Sequence, residues 1–85
     1  MYSVVFLETA WKELQRLPSP VQRRIERAID ALAEVPRPPG CTKLAGEEDL
    51  YRIRVGDYRV IYQLRDDRLL VVVVRVGPRG SVYRP

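Results

Sequence analysis

Histidine is absent from this 85-residue chain. With it go an imidazole acid or base, a Ser-His-Asp triad and any His-ligated metal. Cysteine occurs once, at Cys41, so neither an intramolecular disulfide nor a thiolate metal cluster can form, and a reducing, cytoplasmic setting is expected. No partner that would activate the thiol is identifiable, which makes it a packed or tolerated side chain. Long hydrophobic runs are also missing. The Val71 to Val74 run is far below the roughly 18 apolar residues of a membrane helix, and the first eleven residues, with Glu8 among them, have no signal-peptide character. Lysine is scarce as well: of fifteen basic residues only Lys12 and Lys43 are Lys and thirteen are Arg.

What remains is 46% hydrophobic and 31% charged, enough to fill one core and solvate its outside, with a formal net charge of +4. One domain over residues 1–85 is expected. The arginine-rich excess supplies planar forks suited to phosphate, so a polyanion is a reasonable partner; a merely solvated surface is the competing view.

Tyr2 to Leu7 is short and rich in β-branched and aromatic residues, which predicts a first strand. Ala10, Trp11, Leu14 and Leu17 then follow helical spacing. Pro18-Ser19-Pro20 interrupts the chain and restarts it, with Ser19 as a cap, Pro20 at the first helical position and Gln22 completing a capping box. Val21, Ile25, Ala28, Ile29 and Leu32 form the stripe of a second helix, stopped by Pro36, and the Pro36 to Gly40 segment reads as a stiff connector. Leu50–Val55, Tyr58–Leu64 and Arg68–Val76 have strand character and are separated by Gly56-Asp57 and Asp66-Asp67. The fold class is therefore α+β: an N-terminal strand, a helical hairpin and a three-stranded antiparallel meander. The last strand is apolar on both parities, which predicts burial on both faces in the middle of the sheet.

Strand parity locates the chemistry. Tyr51, Ile53 and Val55 share one face of their strand and Arg52 and Arg54 the other. If Gly56-Asp57 is a two-residue hairpin, Val55 faces Tyr58 and Arg54 faces Arg59, so three arginines converge on one side of the sheet. Opposed like charges are unfavourable by up to about 1 kcal/mol, so something anionic is expected there. The alternative is that these arginines point into water or pair with Glu47, Glu48, Asp49 or Asp57. Parity does not fix the side of Arg79, nor that of Tyr83, because Gly77, Pro78 and Gly80 interrupt the pattern.

At these residues a resemblance emerges. LYRIRVGDYRVIYQ, LLVVVVRVG and R-x-x-VYR are similar to the C-terminal half of the RelE family of bacterial toxins, and A-x-KEL-x-x-L, VQ-x-x-I and PRP-x-G-x-x-KL-x-G to its N-terminal half. The resemblance spans essentially the whole chain. It implies one curved sheet, a partner antitoxin that is acidic and partly disordered, and cleavage of messenger RNA in the ribosomal A site by attack of a ribose 2′-hydroxyl, without metal or cofactor. It places the functional set on Arg52, Arg54, Arg59, Arg79 and Tyr83. Where well-studied relatives carry lysine at the first-strand pair this chain has arginine, a poor general base near neutral pH, and Pro78 stands where many carry histidine. Tyr83 becomes the candidate proton carrier. A ParE-like gyrase inhibitor, a relative that only binds its antitoxin, or a general RNA-binding domain are the alternatives.

Overall fold

The computed structural model describes residues 1–46 and 49–78. Two helices lie on one face of a five-stranded mixed sheet, built in the order β1 (Ser3–Phe6), α1 (Glu8–Gln15), α2 (Ser19–Ala31), β2 (Thr42–Lys43), β3 (Leu50–Val55), β4 (Tyr58–Arg65) and β5 (Leu70–Pro78). The spatial order is β1-β5-β4-β3-β2. β1 runs parallel to β5, from Ser3 opposite Leu70 to Phe6 opposite Val73, and the other pairs are antiparallel.

The helical spacing works as expected. Ala10 and Leu14, four residues apart, are fully buried, and Ile25 and Ile29 from α2, with Leu32 at its C-terminal cap, enter the same core. The sheet answers with Ile53, Val60, Tyr62, Leu64, Val71, Val73 and Val76. Trp11 stays 42% exposed and meets the Phe6 ring edge-on at 5.4 Å.

Several expectations need correction. Ser19 is not a side-chain cap but the first helical residue; the cap is Pro18, whose extended backbone presents its carbonyl to the Gln22 N–H at 2.9 Å. α-Helical geometry ends at Ala31, ahead of Pro36, and tighter turns carry the chain to Val35. A two-residue strand, β2, was not anticipated: it is too short to show alternation. Asp66–Arg68 forms a 3₁₀ turn closed by Leu69 at φ 49°, which delays β5 to Leu70. β5 is interior but not covered on both faces, since the helices cover one side and Val72 and Val74 are only half-buried. The most continuously buried run belongs to the central strand β4, from Arg59 to Tyr62.

The proline connector is pinned rather than merely stiff. The Tyr62 hydroxyl donates to the Pro36 carbonyl at 2.8 Å. Arg37 lies over the Tyr51 ring at 5.1 Å, donates to the Tyr51 hydroxyl at 3.1 Å and pairs with Asp66 at 2.7 Å, while Tyr2 donates to the same carboxylate. This clasp ties the connector to β1, β3 and the β4–β5 turn.

The Arg37 guanidinium, helped by the Tyr2 hydroxyl, holds the Asp66 carboxyl below its ordinary value. A carboxyl depressed on folding adds stability that is complete above its unfolded value of about 3.9 and is lost as pH falls through the folded value. Asp66→Asn should therefore flatten the acid limb of melting temperature against pH below about pH 4. An unchanged slope would show that the clasp adds nothing.

Candidate functional site

Gly56 takes φ 61° at the first position of the β3–β4 turn, a left-handed conformation natural to glycine. The two-residue loop fixes the register that parity required: Val55 opposite Tyr58, Arg54 opposite Arg59, Ile53 opposite Val60 and Arg52 opposite Ile61. Ile53 and Val60 belong to the helix-facing core, so Arg52, Arg54 and Arg59 occupy the opposite face.

The three differ in surroundings. Arg54 is exposed, Arg52 is half-buried and Arg59, on the central strand, is only 7% exposed. Arg52 donates to Thr42 Oγ1 at 3.1 Å, so the unanticipated β2 strand contributes to the site. Ile61 is 5% exposed yet lies outside the helix-side core, giving the arginine face an apolar floor beside Arg52. Gly77 stands opposite Arg59 and brings no side chain to that position. A cavity of about 850 Å³ borders Arg52 and Arg54, with Ala28, Leu32, Val35 and Ile53 among its apolar lining.

The register owes its last step to β5. Between Ile61 and Tyr62 the β4–β5 pairing shifts by one residue, so that Tyr62 faces Val73 but Ile61 faces Arg75. Two successive β5 residues then turn toward α1: Val76 enters the core, and Arg75 donates through Nε to Glu13 Oε2 at 3.0 Å. Nothing in the LLVVVVRV run, where both parities are largely apolar, announces this bulge.

Arg79 and Tyr83 lie outside the described residues. So do Glu47 and Glu48, two of the suggested ion-pair partners. Two described phenols are displaced, both upward: burial does this chiefly for Tyr62, and the hydrogen bond to Asp66 for Tyr2. Both remain hydrogen-bond donors and hold the clasp. Chemically, the arginine face can grip phosphate through guanidinium forks and stabilise added negative charge.

Arg54→Thr removes the opposed like charge and leaves a strand-favouring side chain in its place. It should raise stability by about 0.5 kcal/mol at low salt, read as a higher urea midpoint; a lower midpoint would show that contacts of Arg54 outweigh its repulsion with Arg59.

Residues 4–83 match the family model described as ParE toxin of type II toxin-antitoxin system, parDE. The chain is 35% identical to the mRNA interferase toxin RelE of Escherichia coli K12, with 96% of this chain and 90% of the relative aligned. It is 32% identical to Toxin RelE of Mycobacterium tuberculosis, over 98% of this chain and 87% of that one. Its fold is similar to that seen in the intact E. coli RelBE toxin-antitoxin complex, with a TM-score of 0.83 at 33% identity, covering 94% of this chain and 99% of that one. An archaeal RelE-RelB complex from Pyrococcus horikoshii OT3 gives a TM-score of 0.77 at 37% identity, covering 95% and 98%.

Proposed function

The chain belongs to the RelE/ParE family of toxins of type II toxin–antitoxin systems, and from that membership we propose that it is a ribosome-dependent endoribonuclease that cuts messenger RNA in the A site without a metal. The observation that carries this reading is the opposition of Arg54 and Arg59 with Arg52 on the same face. Like charges opposed across a ladder are unfavourable without an anion between them. A gyrase inhibitor has no chemical need for such a set.

In the reaction, a ribose 2′-oxygen attacks the adjacent phosphorus, the P–O5′ bond breaks, and a cyclic phosphate and a 5′-hydroxyl result. One proton must leave the 2′-hydroxyl and one must reach O5′. Arg52 and Arg54 orient the backbone, while Arg59 and Arg79 stabilise the dianionic phosphorane. Tyr83 carries the proton or stacks on a base. The partner is an acidic antitoxin, by analogy with the RelB chains in the complexes of the relatives.

Arg59→Ala should lower cleavage of ribosome-bound message by about 10²–10³-fold, the cost of losing one transition-state donor. Mapping of message ends on ribosomes reads this directly. Cuts that persist in the variant, or none with the wild type, would sink the assignment. Because the matched family model is named for ParE, a gyrase supercoiling assay with the same preparations separates the second reading. Tyr83→Phe should lower kcat and remove one limb of the pH–rate profile, whereas a pure stacking role would leave the profile unchanged.

A further inference from the structure

On that reading of the arginine face, we propose that Glu13, on the far side of the sheet, is a positioning residue: it holds the β5 bulge and through it sets Arg59 opposite Gly77. The Glu13 carboxylate receives the Arg75 guanidinium and the Val76 N–H, the donors just past the bulge. Arg75 Nε reaches Oε2 at 3.0 Å and Oε1 at 3.3 Å, and Arg75 Nη2 lies 2.9 Å from Oε2. The Val76 N–H donates to Oε1 at 2.9 Å. The extra residue of the bulge is Val74; Val76 stays paired with Val60, and β1 pairs with β5 only as far as Val73, so just past the bulge the Val76 N–H meets the carboxylate of α1 instead of a strand. Glu13 itself is carried on α1 one position before the fully buried Leu14, so its carboxylate is placed by the core.

The register shows what the bulge accomplishes. Pairing runs Arg65 with Leu70, Leu64 with Val71, Gln63 with Val72 and Tyr62 with Val73. Continued without the bulge, it would set Arg75 opposite Val60, a guanidinium on the core side, and Val76 opposite Arg59, an isopropyl group on the arginine face. With the bulge, Val76 is buried in the core and Gly77 faces Arg59. A directly opposed side chain would stand roughly 5 Å away at Cβ, in the space the Arg59 guanidinium and a substrate phosphate would share. Glu13 therefore selects between two registers of one strand, and only one sets a glycine opposite Arg59. Its carboxylate touches neither Arg59 nor the arginine face, so its effect passes through Arg75 and Val76.

The test compares wild type, Glu13→Ala and Glu13→Gln in two measurements. In single-turnover cleavage on message-programmed ribosomes, Glu13→Ala should lose at least about tenfold in kcat, since misplacement by an ångström can cost as much as about 10²-fold, with KM within twofold. Glu13→Gln, which keeps the acceptor for the Val76 N–H, should stay within threefold of wild type. In ¹H–¹⁵N spectra of the folded toxin, Glu13→Ala should shift the Val76 and Gly77 amides and the Arg59 Nε–H signal, and Glu13→Gln should not shift Gly77 or Arg59. A merely structural carboxylate would lower the melting temperature yet leave kcat of the folded protein and the Arg59 signal unchanged, which overturns the proposal. A glutamine variant as slow as the alanine one, with unshifted amides, overturns it too. Should Glu13→Ala not fold, Glu13→Asp, one methylene too short to reach both donors, is judged by the same criteria. If the wild type cuts no message, the endoribonuclease reading fails, while the spectra still decide whether Glu13 governs the geometry at Arg59.

Discussion

Opposed residues on an antiparallel pair share a side, and the Gly56–Asp57 turn decides which residues of β3 and β4 are opposed. Much of the molecule follows from that constraint. The helices need an apolar floor, and Ile53, Val60 and Tyr62 supply it. Once those side chains face the helices, Arg52, Arg54 and Arg59 must share the other surface, because a shift of one residue would exchange the two sets. The cost falls most heavily on Arg59, which is nearly buried on the central strand. Burying one guanidinium opposite another cation is costly, which is why the proposed reading places a phosphate at this position.

The strands and helices were largely legible because each repeats its period long enough to register. β3 is found with the boundaries its alternation gives, and the α2 stripe buries the side chains its spacing selects. Elements whose signal is local and weak were not legible. β2 has two residues and exists because it can pair with Tyr51 and Arg52. Ser19 looks like a cap, yet Pro18 caps the helix, because an extended proline already offers its carbonyl there. The bulge was hidden in a run of valines where either parity looks equally apolar. Of the candidate site, the placement of Arg52, Arg54 and Arg59 on one face was derivable from parity and a turn. The Thr42 and Glu13 contacts needed the tertiary fold.

The connector and the bulge support the arginine face from opposite ends. The connector leads from α2 into β2, and its position is set by Arg37, Asp66, Tyr51 and Tyr62. β2 in turn brings Thr42 to Arg52. At the other end, Glu13 anchors Arg75 and Val76, two residues and one residue before Gly77, the register partner of Arg59. Neither support lies in the arginine set, and both use paired charges that are partly screened by solvent. Their worth lies in geometry more than in stability, because exposed pairs contribute little to folding free energy.

That division bears on how the proposed reaction proceeds. The chain has no histidine, and the displaced phenols of Tyr2 and Tyr62 are both shifted toward the protonated form by their structural bonds or burial. Guanidinium groups stabilise a dianionic phosphorane well and transfer protons poorly near neutral pH. An enzyme so equipped lowers the barrier mainly by holding charge opposite the phosphorane in a fixed arrangement. It therefore gains most when the substrate is also held, because alignment of the attacking 2′-oxygen with the leaving oxygen is an entropic demand that arginines on a sheet face do not meet alone. A ribosome that presents the message in one conformation supplies that missing constraint, and the rigid supports behind Arg52 and Arg59 supply its counterpart in the protein.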